Sequence, residues 1–179
     1  MLRKLTYSAC LLATLAALAL VSSPLVAERG DDSKRKSKNG IVQGAIDGVE
    51  ITIEYGRPNV KGRTIWGGLV PYGKIWRAGA DEATTISFSA DVAIEGQALP
   101  AGTYSLFTVP GEERWEIIFN TVSKQWGAYD YDASKDALRV EVVPSASDFV
   151  ETLTFAIGDG HVGLHWADLG VAFKVAPTT

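Results

Sequence analysis

Hydrophobic and polar residues alternate along most of the chain, in short runs that are separated by turn residues. In the run VEITIEY, residues 49–55, the odd positions hold Val, Ile, Ile and Tyr and the even positions hold Glu, Thr and Glu. A period of two predicts a β-strand with one buried face and one solvated face. Asp47 and Gly48 come directly before this run and predict a tight hairpin, with IVQGAI as the partner strand.

Similar runs continue to the C-terminus, and almost none of the chain shows the period of an amphipathic helix. Short strands at this spacing, without helical crossovers, are typical of two packed antiparallel sheets. We therefore predict an all-β fold, an antiparallel β-sandwich that is jelly-roll-like or immunoglobulin-like, with about nine or ten strands and one long ordered loop. The predicted strands are IVQGAI, VEITIEY, TISFSADVAI, LPAGTYSLFTV, WEIIFN, LRVEVV, ETLTFAI, VGLHWA and VAFKVA, and Asp168-Leu169-Gly170 is expected to turn between the last two.

Two long segments, residues 56–83 and 121–137, interrupt this rhythm. Loops longer than about 12–15 residues without secondary structure are uncommon in compact domains and are usually functional or disordered. The first segment is too apolar to be disordered, because its large hydrophobic side chains need burial. We expect it to fold back over one end or face of the sandwich. These side chains are Ile65, Trp66, Leu69, Val70, Ile75 and Trp76.

The N-terminus has the pattern of a secretory signal peptide. Two basic residues precede an apolar run over residues 9–21, and small residues follow as far as Ala27. The run is short for a membrane span, which needs roughly 20 residues. We predict a signal peptide over residues 1–27 that is cut after Ala27, or alternatively after Ser23. The protein is then exported to the periplasm or the extracellular space and has no membrane span after cleavage. A retained N-terminal anchor is the alternative.

The remaining chain divides by composition into two parts. Residues 28–40, ERGDDSKRKSKNG, are all polar or glycine and cannot bury apolar surface, which predicts a flexible linker. Residues 41–179 then form a single β-sandwich domain. The one cysteine, Cys10, lies in the predicted signal peptide. The exported chain therefore has no disulfide, no thiol nucleophile and no zinc site built on cysteine.

Charge is unevenly distributed over the predicted domain. From residue 41 onward there are ten Lys or Arg and eighteen Asp or Glu, a net charge of −8. An acidic domain of this kind is a poor nucleic-acid binder, because phosphate neutralisation needs a broad basic face. Five of the ten basic residues nevertheless fall within residues 57–77, and no acidic residue lies among them. The first long segment therefore carries a basic cluster.

This basic cluster is the candidate site. Arginine guanidinium groups suit carboxylate or phosphate, and nearby glycines let backbone N–H groups approach a ligand. We expect Arg57, Arg63, Trp76 and Arg77 to lie nearest the ligand, with Glu82 as a hydrogen-bond acceptor or an internal brace. In the alternative interpretation the basic residues pair with nearby acids, Arg77 with Asp81 or Glu82, and only pin the loop.

The second long segment carries Trp126, Tyr129 and Tyr131. We expect these side chains to cap the sandwich core, and the alternative is an exposed surface that stacks on sugar rings or peptides. The two histidines, His161 and His165, lie on one strand about 13 Å apart at roughly 3.3 Å per residue, too far to share a metal. The sequence contains no phosphate loop, dinucleotide fingerprint or nucleophile elbow, so we expect no metal, cofactor or catalytic residue.

Four stretches of the sequence together resemble a known family. They are EYGRPNVKGRTIWGGLVPYGKIWRAGADEATTISFS, LPAGTYSLFTVP, WEIIFN and QWGAYDY, and their order and spacing run from about Ile41 to the C-terminus. On these motifs the chain is identified as a member of the bacterial secreted family called domain of unknown function 2911. The resemblance implies export and a compact β-rich domain. It implies no activity, ligand or catalytic residues.

Three functions are consistent with the sequence. The first is a non-catalytic binding or interaction module for a small polar or anionic ligand of the cell envelope, such as a cell-wall fragment, a carboxylate or a sugar. The second is a hydrolase that acts on an envelope polymer, with Glu82 or Asp81 as general base, which requires a carboxyl of raised pKa in a cleft. The third is a structural or partner-binding protein in which the long loop serves only packing.

Overall fold

The computed structural model describes residues 29–178, so the predicted signal peptide lies outside the described part of the chain. The described residues form ten strands in two antiparallel sheets that are not closed into a barrel, which confirms the predicted β-sandwich. The strands are β1 (Lys38–Ile46), β2 (Val49–Arg57), β3 (Thr84–Phe88), β4 (Val92–Ile94), β5 (Gln97–Leu99), β6 (Gly102–Val109), β7 (Trp115–Asn120), β8 (Asp136–Val142), β9 (Ser145–Gly158) and β10 (His161–Pro177).

The first sheet has six strands in the order β1-β2-β3-β6-β7-β8, and the second has four in the order β5-β4-β10-β9. Inward side chains of the two sheets meet in one core. Phe119 of β7 lies edge-on against Phe173 of β10, with ring centroids 5.5 Å apart, and Tyr55 of β2 lies 4.8 Å from Phe155 of β9. Among residues 29–178 no helix is long and apolar enough to cross a membrane.

Aspartate-glycine pairs make two of the hairpins, and the first of them confirms the hairpin predicted at Asp47 and Gly48. Asp47 and Gly48 have φ angles of +48° and +86°, and they join Ile46 to its cross-strand partner Val49. Both central residues of a type I′ turn need positive φ, and this pair of residue types supplies it at low cost. Asp159 and Gly160 repeat the arrangement between β9 and β10, with φ angles of +50° and +73°.

The turn predicted at residues 168–170 is wrong, because β10 runs through it to Pro177. Ala167 has a φ of +54°, and the pairing of β10 with β9 shifts register on both sides of it. A β-bulge of this kind bends a strand without ending it. The bulge therefore absorbs the turn-like residues, and one long strand replaces two short ones.

The long loop, residues 58–83, is ordered because its backbone bonds to three neighbouring parts of the chain. Trp76 and Thr108 of β6 exchange two N–H···O bonds of 2.8 Å, so the loop continues the line of β3. The Val60 N–H donates to the Glu151 carbonyl at 2.8 Å, which ties the start of the loop to β9. Near its end, the Ala83 N–H donates to the Gln125 carbonyl at 3.0 Å. Backbone hydrogen bonds therefore connect the loop to both sheets and to the second long segment.

Four tryptophans pack together under this loop, and the loop supplies two of them. The Trp66 ring lies edge-on at 5.7 Å from Trp76, 4.8 Å from Trp115 and 5.9 Å from Trp166. Trp76 and Trp166 stack at 6.0 Å with 14° between their planes. Each aromatic pair contributes about 0.5–1.5 kcal/mol beyond its buried area. Ile65, Trp66, Val70 and Trp76 are thus core, as the composition of the loop predicts, and Ile75 is partly buried. The expectation of burial is wrong for Leu69, which is 47% exposed.

The N-terminal segment lies against the end of the loop. The structure begins β1 at Lys38, inside residues 28–40, the predicted linker. The Arg29 guanidinium donates to the Ala80 carbonyl at 3.1 Å and to the Glu82 carbonyl at 2.9 Å. The segment buries a charged head group rather than an apolar one, which is why its composition gave no sign of this contact.

The second long segment begins after β7 and contains one 3₁₀ turn, Ala133–Lys135. Tyr131 lies against Phe107 with ring centroids 5.0 Å apart, on the outer face of the six-stranded sheet. Trp126 and Tyr129, however, are 56% and 85% exposed. The expectation that they cap the core is therefore wrong for these two residues.

Candidate functional site

An open cavity of about 520 Å³ lies beside the long loop. The loop forms most of its wall, the N-terminal segment contributes Lys36 and Ser37, and Trp166 of β10 contributes to its floor. The charged side chains that line it are Lys36, Lys61, Arg63, Arg77 and Asp81. The cavity therefore has four cationic groups and one carboxylate in a domain that is acidic overall.

The structure brings three of the five predicted site residues together. Arg63, Trp76 and Arg77 line this cavity, whereas Glu82 lines a neighbouring one. Arg57 does not line either cavity. It ends β2, where its aliphatic stem packs beside Gly40 so closely that a Cβ there would lie 2.5 Å from the Arg57 Cδ. Arg57 therefore serves packing between β1 and β2.

Arg77 is half-buried in the cavity wall and forms no ion pair within residues 29–178, including none with Asp81 or Glu82. Its Nε is buried and has no hydrogen-bond partner in the described part of the chain. A buried polar group without a partner in a native fold calls for an explanation, such as a bound water or ion. The guanidinium is thus a positive charge held at the cavity without a carboxylate partner.

Arg63 is exposed, but the loop backbone orients it. Its Nε donates to the Val60 carbonyl at 3.0 Å and its Nη2 donates to the Asn59 carbonyl at 2.5 Å. These bonds leave the charge itself uncompensated, because both acceptors are neutral. Arg63 therefore adds an oriented positive charge to the rim of the cavity.

The floor of the cavity is aromatic and rigid. Trp76 is only 9% exposed and stacks on Trp166, whose indole N–H donates to the Glu151 carbonyl at 3.3 Å. Trp166 comes from β10, more than eighty residues further along the chain, so the local pattern of the loop did not reveal it. Little of the Trp76 or Trp166 ring is accessible, so the floor limits the depth of the cavity and offers a ligand little aromatic surface.

Three non-glycine residues of the long loop adopt left-handed backbone conformations, and two of them, Lys61 and Asp81, line the cavity. Lys61 has a φ of +49°, Ala78 a φ of +51° and Asp81 a φ of +62°. Residues held in such regions cost of the order of 1–3 kcal/mol each and cluster at ligand sites and switches. Thr84 holds this strained stretch in place, since its Oγ1 donates to the Ala78 carbonyl at 3.0 Å and its N–H to the Arg77 carbonyl at 3.2 Å.

Glu82 is bound by two arginines of the N-terminal segment. Its two oxygens accept bonds of 2.5 Å from both terminal nitrogens of Arg35, and Oε2 also lies 3.3 Å from Nη2 of Arg29. The bonds from Arg35 hold the pKa of the Glu82 carboxyl below its usual range. We call this arrangement of Arg29, Arg35 and Glu82 the carboxylate clasp.

The carboxylate clasp gives Glu82 the role of an internal brace. Asp81 adds to it, since its Oδ2 lies 3.6 Å from Nη1 of Arg35. A general base works best with a pKa near the working pH, which for a carboxyl means a raised pKa. Ion pairing with two arginines lowers the pKa of Glu82 instead. The hydrolase hypothesis therefore loses its best candidate for the base. Residues 29–178 also contain no group of three or more side chains that are suited to hold a metal ion.

Comparison with known proteins places the chain in a family. No curated protein and no solved structure matches it. Residues 37–175 match the family model described as "Protein of unknown function (DUF2911)", a span that runs from just before β1 almost to the end of β10. This span includes the long loop, the second long segment and the cavity residues from Ser37 onward. The chain therefore belongs to the DUF2911 family of proteins of unknown function.

Proposed function

We propose that the protein is an exported, non-catalytic binding module that holds a small anionic ligand in the cavity beside the long loop. The observation that carries the proposal is Arg77, a half-buried guanidinium that borders the cavity and has no ion-pair partner among residues 29–178. An anionic group of the ligand would supply the missing partner through two parallel N–H···O bonds. Such charge-assisted, bidentate hydrogen bonds are stronger than bonds between neutral groups.

The charges of the cavity support the same ligand class. Lys36, Lys61 and Arg63 add to the positive charge of Arg77, while Asp81, the one carboxylate in the lining, already faces Arg35. Basic groups gathered in a concave site attract anions even where the rest of the surface is acidic. The cavity volume of about 520 Å³ also falls within the range of small-molecule sites, about 300–1,000 Å³.

Export supports an envelope ligand, such as a carboxylated sugar or a cell-wall fragment. The basic start, apolar run and small residues of positions 1–27 are the sequence evidence for export. Expression of the full chain, followed by N-terminal sequencing of the protein in the exported fraction, tests this. We expect a mature chain that begins at Glu28. A full-length protein confined to the cytoplasmic fraction would contradict export without affecting the binding proposal.

The binding proposal predicts that anions raise the melting temperature and that Arg77→Ala abolishes this effect. The probes are inorganic phosphate, citrate, glucuronate and N-acetylmuramate, with glucose as a neutral control. A ligand at 100 times its Kd stabilises the folded state by about 2.7 kcal/mol. For a domain of this size that corresponds to an increase of about 5–10 °C, measured by thermal shift.

Arg114→Ala is the matched control for this experiment. Arg114 is also an arginine, but it lies outside the cavity in an exposed pair with Glu141. We expect the anion-dependent stabilisation to persist in this variant. Two results would contradict the proposal: no probe raises the melting temperature of the wild type, or the same probe stabilises wild type and Arg77→Ala equally.

A further inference from the structure

A second cavity, of about 300 Å³, opens next to the carboxylate clasp. Arg29, Glu82 and Thr85 line one side of it, and residues 123–126 line the other. Glu82 belongs to this cavity and Asp81 to the first one, so the clasp lies between the two. Nothing in the proposed anion site uses the residues of this second cavity.

Trp126 dominates the second cavity and differs from the other tryptophans of the protein. Its side chain is 56% exposed, whereas Trp66, Trp76, Trp115 and Trp166 are at most 9% exposed. An exposed indole offers a large flat apolar face to a ligand, and Trp is enriched at interfaces for this reason.

The backbone around Trp126 is nevertheless fixed. The Ala83 N–H donates to the Gln125 carbonyl and the Gly127 N–H donates to the Asp81 carbonyl, both at 3.0 Å, so residues 125–127 pair with the end of the long loop as a short antiparallel bridge. The exposed indole is therefore carried on a fixed backbone rather than on a mobile tip, and we call this indole the platform. Positioning of this kind lowers the entropic cost of binding.

Gln125 is held rigidly beside the platform. Its Nε2 donates to the Val122 carbonyl at 2.7 Å and to Asn120 Oδ1 at 3.2 Å, which fixes the amide orientation. Its Oε1 is buried and has no partner within residues 29–178, and the same holds for the Nε of Arg29. The lining side chains that are open to the hydroxyls of a ligand are therefore Ser123 and Lys124.

The composition of the lining identifies the class of ligand. A flat aromatic face is surrounded by Thr85, Ser123, Lys124 and Gln125, and the only other apolar lining residue is Ala83. The charge of Glu82 is compensated by Arg29 and Arg35, which leaves Lys124 as the one charged lining residue without an ion pair among residues 29–178. An apolar face surrounded by hydrogen-bonding groups matches a pyranose ring.

We propose that the second cavity binds a neutral saccharide, with one pyranose ring stacked on the Trp126 indole and its hydroxyls bonded to Ser123 and Lys124. This goes beyond the proposed anion site, because it uses another cavity, another ligand chemistry and other residues. A free sugar and a sugar within a glycan chain share this chemistry, and the experiment separates the two.

Fluorescence quenching by acrylamide tests the proposal directly, because Trp126 is the one exposed tryptophan among residues 29–178. The probes are glucose and N-acetylglucosamine as free sugars, and cellohexaose, xylohexaose, mannohexaose and chitohexaose as chain fragments. We expect at least one probe to protect Trp126 from acrylamide. Protection by a hexasaccharide alone assigns the site to glycan chains, and protection by a monosaccharide at similar concentration assigns it to free sugars.

Four variants make this result specific. Trp126→Ala, an exposed change that is expected to leave the fold intact by circular dichroism, should remove the quenchable fraction and weaken saccharide affinity at least tenfold by calorimetry. Trp126→Phe should retain part of the affinity, because a smaller aromatic face remains. Tyr129→Ala removes an aromatic that is more exposed but does not line the cavity, and should bind as wild type does. Arg77→Ala should also bind saccharide normally, which separates this site from the anion site.

Three outcomes overturn the proposal. The first is that no probe at 10 mM, roughly the weakest affinity useful for a stacking site, protects Trp126. The second is that calorimetry shows equal saccharide affinity for wild type and Trp126→Ala. The third is that a hexaproline peptide protects Trp126 while the saccharides do not, which would assign the platform to peptides.

Discussion

Gly56→Ala is expected to lower the free energy of unfolding by about 3 kcal/mol or more, the largest effect of any single methyl group that we predict. A Cβ at this position in β2 would lie 2.2 Å from the carbonyl oxygen of Ala80 and 2.9 Å from its carbonyl carbon. Both are backbone atoms, so no side chain is able to rotate out of the way. The same contact carries a hydrogen bond, from the Ala80 N–H to the Gly56 carbonyl at 3.3 Å. Urea unfolding followed by tryptophan fluorescence measures the effect.

Gly158→Ala provides the control for this substitution. Gly158 also lies in a strand, at the end of β9, and a Cβ there would meet no atom within 4 Å. We expect this variant to stay within about 0.5 kcal/mol of wild type, as surface substitutions usually do. Equal stability of the two variants would show that β2 and the loop do not approach as closely as described. Because Ala80 borders the cavity, Gly56→Ala is also expected to weaken anion binding.

Glu82→Gln is expected to lower the free energy of unfolding by about 2–3 kcal/mol at pH 7. Arg29 is the reason, because its side chain is only 7% exposed and would lose its ionic partner. Loss of one partner from a buried pair costs about 3–5 kcal/mol, and we discount that figure because Glu82 itself is 27% exposed. Urea unfolding of the wild type and the variant gives the difference in free energy.

The pH dependence of this difference has a definite sign. The bonds from Arg35 lower the pKa of Glu82 in the folded protein, below its ordinary value of 4.5. A carboxyl with a lowered folded pKa stabilises the fold fully above its unfolded pKa, and this contribution is lost as the pH falls through the folded value. The difference between wild type and Glu82→Gln should therefore be complete at pH 7 and shrink progressively below pH 4.5.

Glu141→Gln makes the same chemical change in an exposed pair. Glu141 and Arg114 are 64% and 68% exposed, and their closest atoms lie 3.4 Å apart. Exposed pairs contribute about 0.2–1 kcal/mol, so this variant should differ little from wild type at any pH. If Glu82→Gln behaved like Glu141→Gln, the carboxylate clasp would be a surface contact without structural importance.

The sequence predicted those parts of the fold that depend on local patterns. The alternation through Val49, Ile51 and Ile53 predicted β2, and all three side chains are at most 3% exposed. The apolar residues of the long loop predicted its order, because Trp66 and Trp76 had to be buried somewhere. The turn predicted at residues 168–170 failed, because the sequence signals of a turn and of a β-bulge are alike.

The site was predicted less well, because its contacts join distant parts of the chain. One interpretation of the sequence paired Arg77 with Asp81 or Glu82, its nearest acids along the chain. Instead, Arg29 and Arg35 bind Glu82 across about fifty positions, and Arg77 is left to the cavity. Nothing in the polar segment 28–40 distinguishes an arginine that docks from one that stays in water. Composition alone therefore located the basic cluster but did not predict which acidic and basic residues pair with each other.

The exposed aromatics show a different limit. Trp126 and Tyr129 were expected to be buried because most large aromatics are, and QWGAYDY has no periodicity to say which face each residue occupies. Tyr131 from the same stretch is partly buried against Phe107, on the outer face of the six-stranded sheet and not over the sandwich core. Burial of the Tyr131 hydroxyl and its hydrogen bond to Asp136 raise the pKa of this group to about 12. Tyr131 therefore packs against the sheet, whereas Tyr129, two residues earlier, is exposed to solvent.

The hydrogen bonds between the long loop and its neighbours have a consequence for the rate at which a ligand would bind and leave. Bonds to β6, to β9 and to residue 125 hold the loop near its start, its middle and its end, so it forms a wall and not a mobile lid. Under the binding proposal, a ligand would meet a preformed cavity and association would require no slow opening step. In stopped-flow mixing, the observed rate should rise linearly with ligand concentration and reach no plateau. Affinity would then differ among ligands through the rate at which each one leaves.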